Sequence, residues 1–245
     1  MSTLVAAHRG GAILWPENSP TAFREAARLP VEQVEFDVHL SADGEVVVIH
    51  DATLDRTTDA QGPVAARTLA ELRAIRLKGT AGETIPTLRE VAAILAPTPI
   101  APRMELKTGA NDARYPDLLP KSLAVLDAAG LLPRTTVTCF RLALAAEAMR
   151  DPRLQGRAIW LVARGVVQDA GVPGAIAAAR AAGVPMLGLN AADCDESAIA
   201  ACREAGMRVG AWAVNDAATI ARVLALGVEV FTTDDPVTAL RLRGA

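Results

Sequence analysis

Eight short runs rich in β-branched residues alternate with Ala- and Leu-rich helical segments, and no other feature restricts the fold of this chain as much. The strand-like runs fall at 3–8, 33–40, 99–107, 135–140, 157–162, 185–190, 208–214 and 229–233. Apolar residues at helical spacing mark 21–29, 88–95, 121–129, 141–149, 174–182, 196–205, 217–226 and 237–242. Gly130, Gly183, Gly206 and Gly227 follow four of these segments, where a left-handed C-terminal cap sits, and Asp216 precedes one as its N-cap. Strands joined through helices run parallel, because a parallel pair needs a crossover long enough to return the chain. Eight such units close naturally into a barrel. An open doubly wound sheet is the competing architecture. It calls for a glycine-rich phosphate turn of GxGxxG spacing after an early strand, and His8-Arg9-Gly10-Gly11 is not that pattern. The expected fold class is α/β, a (β/α)8 TIM barrel.

One stretch breaks the rhythm. After the second strand, Ser41-Ala42-Asp43-Gly44 leads into a further strand-like run at 46–49. Asp-Gly between alternating strands signals a hairpin, so this run is an antiparallel return outside the ring. Residues of about 41–82 then form a small hairpin-containing insertion above the barrel mouth, ending near Ile85-Pro86-Thr87. With the turn at Asp43-Gly44, His50 falls opposite the Glu35/Asp37 level of the strand it left. Residues 1–245 read as one domain, a length that a single barrel fills.

Composition narrows the partners. Lys and Arg total 25 against 28 Asp and Glu, a formal charge of −3, so the chain has no global basic field for nucleic acid. Cys139, Cys194 and Cys202 are odd in number and form no CxxC pair, which argues against a disulfide framework or a zinc site. Charged residues from His8 to Arg28 interrupt any signal-peptide apolar core, and no run is long and apolar enough for a membrane span. A cytoplasmic protein acting on a small molecule is expected, of oligomeric state that the sequence leaves open.

Barrel active sites lie at the C-terminal strand ends. Glu35 and Asp37 are two apart in Val34-Glu35-Phe36-Asp37-Val38, so both take one face of their strand and the apolar set takes the other. Glu105 and Lys107 repeat this in Arg103-Met104-Glu105-Leu106-Lys107. Three inward carboxylates on adjacent strands cannot all stay ionised unless paired. Salt bridges to Arg9 and Lys107 are one remedy. A hard divalent cation on all-oxygen ligands, Mg²⁺ or Ca²⁺, is the simplest one. Glu35, Asp37 and Glu105 against Arg9 and Lys107 sum to −1, and a divalent cation turns this to +1, a sign that suits a phosphodiester. Arg9 offers a planar fork for phosphate oxygens, and Lys107 a compact second charge. His8 and His50 reach the same mouth from different segments, and histidine near neutral pH can take or give the protons that ester cleavage requires. His39 shares strand parity with Asp37 but lies toward the hairpin, and receives no role beyond a rim contact. Arg56-Thr57-Thr58 reads as a turn locking the hairpin, and Arg56, Arg67, Arg73, Arg76 and Lys78 as a solvated face.

The ordered blocks His8-Arg9-Gly10, Pro16-Glu17-Asn18, Glu35-x-Asp37-Val38, Asp43-Gly44, Val48-Ile49-His50-Asp51 and Leu54-x-Arg56-Thr57-Thr58 resemble the glycerophosphodiester phosphodiesterase family. Pro86-Thr87-Leu88, Glu105-Leu106-Lys107, Trp212-x-Val214-Asn215 and Thr233-Asp234-x-Pro236 extend the likeness over nearly the whole chain. The resemblance implies a TIM barrel with an inserted hairpin, and metal-dependent hydrolysis of glycerophosphodiesters to an alcohol and glycerol 3-phosphate. It implies metal ligands at Glu35, Asp37 and Glu105, and acid–base histidines at His8 and His50. Substrate-binding residues by the same likeness are Arg9 and Lys107 for phosphate, Trp212 as an aromatic wall for glycerol, and Glu17 as a supporting glutamate. Ser19 and Cys139 depart from the commoner Thr and Ser without touching these positions. Related barrel lipases of the sphingomyelinase D or phosphatidylinositol phospholipase C type are the main alternative. A metal-free glycosidase and a non-catalytic sugar-phosphate binder are lesser ones.

Overall fold

The computed structural model describes residues 2–244. Its ring consists of β1 (Leu4–Ala7), β2 (Gln33–Leu40), β4 (Ala101–Leu106), β5 (Thr136–Cys139), β6 (Ala158–Leu161), β7 (Met186–Asn190), β8 (Arg208–Trp212) and β9 (Val230–Thr233), all paired parallel. The ring closes because β1 bonds to both neighbours, with Ala7 opposite Val34 on β2 and Thr233 on β9. The expected closed barrel is therefore present. The strand β3 (Val46–Val48) lies outside it, antiparallel to β2, with Val38 opposite Val48.

Two apolar layers hold the ring. On the outward face of β2, Val34, Phe36 and Val38 pack into the main core under the helices, where Phe36 meets Phe23 edge-on at 6.0 Å. Burying a side chain of this size stabilises by about 1.5–3 kcal/mol. Inside the ring, Ala6, Ile159, Leu161, Met186 and Val230 form a smaller cluster, with Leu161 at its mouth side. The polar ends of the strands are left for the mouth.

The helices begin where the sequence places caps. α1 (Pro20–Ala26) starts from Ser19, whose Oγ accepts from Ala22 N at 3.0 Å. α3 (Leu88–Leu95) has a full capping box of Thr87 and Glu90. α8 (Ala217–Leu226) starts from Asp216, which accepts from Thr219 N. Each such cap contributes on the order of 1 kcal/mol. Gly130, Gly183, Gly206 and Gly227 all adopt the left-handed conformation, with φ between 66° and 71°.

One helix departs from expectation. Residues 174–182 are only the second half of α6 (Arg164–Ala181). Gly171 at φ 67° turns the chain ahead of Pro173, and helix lies on both sides of the kink. The insertion is more structured than a bare hairpin. It contains the short helix α2 (Leu69–Leu72) and its own core of Val47, Ile49, Leu54, Val64, Leu72, Leu77 and Ile85. β3 serves both cores by its period of two, sending Val46 and Val48 to the barrel and Val47 to the insertion. Gly44 makes the expected turn at φ 80°, its N–H donating to Ser41 O at 3.0 Å. Among the described residues no helix is long and apolar enough to cross a membrane.

Close strand packing makes one substitution diagnostic. A Cβ on Gly210 of β8 would sit 2.7 Å from Val230 O and 3.0 Å from Met186 Cε. The carbonyl belongs to the adjacent strand and cannot move without opening the ring. Gly210→Ala is expected to lower stability by about 1–3 kcal/mol, read from the urea midpoint, and an unchanged midpoint would contradict this packing.

Candidate active site

The C-terminal strand ends surround a cavity of about 260 Å³. His8, Arg9, Glu35, His50, Arg103 and Glu105 line one side, and Phe140, Leu161 and Trp212 form an apolar wall on the other. Asp37, Lys107 and Glu17 are set back from that surface. All nine residues singled out from the sequence thus fall at one mouth, six of them on the cavity wall or its apolar side.

Glu35 and Asp37 project inward from β2 as their spacing predicts, and register puts Asp37 beside Glu105 on β4. One oxygen from each of the three lies within 4.8 Å of the others, and all three residues are buried. Cations meet this cluster from two sides. Lys107 Nζ is 3.0 Å from Asp37 Oδ1 and 2.6 Å from Glu105 Oε1. Arg9 Nε lies 3.4 Å from Asp37 Oδ2, and the Arg9 backbone N–H donates to Glu35 Oε2 at 3.0 Å. That N–H is aimed by a left-handed turn, with Arg9 at φ 51°. Asn18 Nδ2 donates to Asp37 Oδ2 at 2.8 Å.

The charges are unevenly satisfied. Burial, reinforced by Asp37, pushes the Glu35 carboxyl up to about 7. Burial also opposes ionisation of Asp37, but Lys107 above all, then His50 and Arg9, hold it below the ordinary carboxylate range. Burial likewise works against the Lys107 ammonium, yet Asp37 and Glu105 keep it above its usual value. The three carboxylates Glu35, Asp37 and Glu105 outnumber the two cations that meet them, Arg9 and Lys107, by one, and Asp37 Oδ1 accepts no well-directed hydrogen bond despite the nearby ammonium. A hard divalent cation fits that donor set, in oxygen chemistry and in spacing.

Each candidate histidine has a carboxylate on Nδ1. His8 Nδ1 is 2.6 Å from Asp234 Oδ1, and His50 Nδ1 is 2.6 Å from Asp51 Oδ1. A carboxylate only accepts, so Nδ1 carries the hydrogen and Nε2 is left for other chemistry. Burial opposes protonation of His8, but Glu35 and the bond to Asp234 outweigh it and raise its pKa. Burial lowers that of His50, and Lys107 and Arg9 add to the effect against Asp37. The third histidine, His39, is fully buried and makes no rim contact. Its Nε2 meets the His50 carbonyl at 3.1 Å and its Nδ1 meets Tyr115 Oη at 3.2 Å, while burial drives its pKa down to about 4. His39 is a neutral buttress for the His50 backbone.

Several contributors have no role in the sequence reading. Asp234 is held by Asn215, whose Nδ2 donates to Oδ2 at 2.6 Å and whose Oδ1 accepts from Asp234 N at 2.9 Å. Both stand at strand ends, but only ring closure brings β9 against β1 and hence Asp234 to His8. Arg56 lies in the expected turn and is exposed, but it is more than a solvated residue. Thr58 does lock the turn, donating to Leu54 O at 2.7 Å. Arg56 instead grips Asp51 through Nε at 2.8 Å and Glu17 through Nη1 at 2.6 Å. Glu17 also accepts from Arg9 Nη1 at 3.0 Å, so a chain of charges ties Arg9 to His50. Arg103 shares the inward parity of Glu105, a signal the sequence contains, and burial draws its guanidinium down to about 10. Trp212 is fixed by donation from Nε1 to Gly188 O at 3.0 Å and stacks edge-on against Phe140 at 5.1 Å.

Comparison with known proteins bears on the family and the fold. The profile of the Glycerophosphoryl diester phosphodiesterase family matches residues 8–238. A glycerophosphodiester phosphodiesterase of Caldanaerobacter subterraneus subsp. tengcongensis is 29% identical over 247 aligned positions, covering 99% of this chain and 98% of that protein. A crystal structure from Agrobacterium tumefaciens, described as a glycerophosphoryl diester phosphodiesterase, superposes with a TM-score of 0.96 at 35% identity, over 100% of this chain and 98% of the other. A phosphodiesterase of Oleispira antarctica, solved in complex with the product sn-glycerol-3-phosphate, shares the fold with a TM-score of 0.84 at 23% identity, over 100% and 98% of the two chains.

The ammonium between Asp37 and Glu105 is the most exacting of these contacts. Lys107→Met leaves two buried carboxylates without that partner and is expected to cost about 3–5 kcal/mol in stability without added divalent cation, measured by urea unfolding. A loss below about 1 kcal/mol would show that the pair is solvated and not buried.

Proposed function

The chain belongs to the glycerophosphoryl diester phosphodiesterase family, and on that premise we propose that it hydrolyses glycerophosphodiesters to an alcohol and glycerol 3-phosphate at this mouth. The family is one of hydrolases, and the chain is a phosphoric diester hydrolase of that kind. The observation that carries the mechanism is the convergence of two carboxylate-held histidines on a buried carboxylate triad flanked by Arg9 and Lys107.

Glu35, Asp37 and Glu105 would hold the divalent cation, Mg²⁺ or Ca²⁺. When bound it supplies Lewis-acid charge that polarises phosphoryl oxygens. Arg9 presents its guanidinium beside the triad, steadied by Glu17, and meets the phosphate together with Lys107. Glu17 acts through Arg9 and Arg56, which places it behind the phosphate contacts. Trp212, braced by Phe140, forms the apolar wall that excludes water and takes the glycerol carbons. His8 and His50 exchange protons through Nε2, one accepting from the attacking oxygen and the other giving to the departing alkoxide. Asp234 and Asp51 orient the rings and stabilise the imidazolium that forms. The whole of 1–245 works as one catalytic unit, and the insertion both supports His50 through Arg56 and shapes the choice of head group. The lipid-cleaving barrels of sphingomyelinase D type find no counterpart among the relatives above.

Purified protein incubated with a panel of deacylated phospholipids is expected to release glycerol 3-phosphate, and to stop when a chelator is added and resume with Mg²⁺ or Ca²⁺. Turnover insensitive to chelator would remove the metal from the mechanism. His8→Ala and His50→Ala are each expected to lower kcat by at least about 100-fold, and near-normal rates in both would remove them from acid–base roles. Asp234→Asn keeps size but loses the charge behind His8. It is expected to lower kcat by about 10-fold or more with little change in KM, and a change confined to KM would argue against the orienting role.

A further inference from the structure

Arg103 lies two residues before Glu105 on β4, faces the same cavity, and has only 1% of its surface exposed. Its neighbours in register are Glu35 on β2 and Thr136 on β5. Its guanidinium is almost without partners. Nη1 has a single long contact, 3.4 Å from Gln33 Oε1, and Nη2 has no hydrogen bond. A buried guanidinium stays charged and is costly unless negative charge stands nearby. Three carboxylates face it. Glu229, at the foot of β9, is already taken by Arg208, whose Nε lies 2.7 Å from Oε2. Glu35 and Glu105 remain, one across the register and one on the same strand face.

We infer that Arg103 is a built-in counter-ion of the carboxylate triad: a fixed positive charge in the wall of the cavity that balances Glu35, Asp37 and Glu105 in the cation-free protein and weakens their hold on a divalent cation. The inference rests on the metal-binding reading of those three residues. With all three carboxylates ionised, Arg9 and Lys107 alone leave the cluster at −1, and Arg103 brings it to zero. The barrel can then keep three carboxylates at adjacent strand ends before any cation arrives, and a bound cation sits near a fixed like charge. Such a site exchanges its metal readily and presents +2 to an incoming phosphodiester.

The test is calorimetric titration of MgCl₂ and CaCl₂ into the whole protein stripped of metal, with thermal melting in cation-free buffer alongside. Arg103→Met and Arg103→Gln remove the charge with different head groups, and Arg103→Lys keeps it. Both neutral variants are expected to bind the cation at least about tenfold more tightly than the unaltered protein, as loss of a unit charge in a buried site within about 10 Å implies. They are also expected to melt at lower temperature without cation and to regain more of that loss when cation is added. Arg103→Lys is expected to stay within about threefold of the unaltered affinity. Neutral variants recoverable only in cation-containing buffer support the same conclusion. Equal affinity in the neutral variants and the unaltered protein overturns the inference, as does an equal change in Arg103→Lys, which would point to shape and not to charge. Should the unaltered protein bind neither cation, the metal reading itself fails and takes this inference with it. The two failures are therefore told apart by the first titration.

Discussion

Three carboxylates held at the ends of two adjacent strands are the constraint on which the rest of the mouth depends. Like charges this close, out of water, repel strongly enough to force either protonation or a set of counter-ions. Both responses are visible. Glu35 is drawn toward the neutral form, while Asp37 stays ionised because Lys107 and Arg9 reach it from opposite sides. The left-handed turn at Arg9, the side chain of Asn18 and the lone guanidinium of Arg103 all serve the same cluster.

The two histidines are built on a common plan with different surroundings. Each hydrogen-bonds a carboxylate through Nδ1, which fixes ring orientation and leaves Nε2 for the proton transfers proposed above. Asp234 is in turn held by the neutral amide of Asn215, whereas Asp51 is clasped by the cation of Arg56. Arg56 also clasps Glu17, and Glu17 clasps Arg9. The support of one histidine thus comes from ring closure, and that of the other from the insertion. This division explains why the insertion has a core of its own. Leu54, Val64 and Leu72 pack with Val47 and Ile49 on either side of the segment that carries His50, Asp51 and Arg56.

Much of this is legible in the residues. Period two in Val34-Glu35-Phe36-Asp37-Val38 is enough to point both carboxylates inward, because the alternate apolar set can be satisfied only under the helices. Asp-Gly at the end of β2 is enough to turn the next strand back and bring His50 to the level of Glu35. Where the reading falls short, the reason is that the deciding partner is remote in sequence. Arg56 reads as solvated because nothing nearby in the chain shows that Glu17 lies across from it. His39 reads as a rim residue because parity gives its face but not the Tyr115 that covers it. The half of α6 before Gly171 has no place in the sequence reading, which begins its helix at 174, since local spacing cannot show that one helix spans the kink.

Sequence alone determined the eightfold alternation, the inward face of each strand, the turn that forms the hairpin and the identity of the charged groups at the mouth. These follow from short-range geometry, where backbone period and turn chemistry act over a few residues. Tertiary structure alone decided which of those groups meet. Closing the ring sets Asp234 against His8 across 226 positions of chain, and folding the insertion sets Arg56 against Glu17 across 39. Electrostatic balance in a buried cluster depends on such meetings, since the energy of a charge out of water is set by neighbours in space and not by neighbours in sequence.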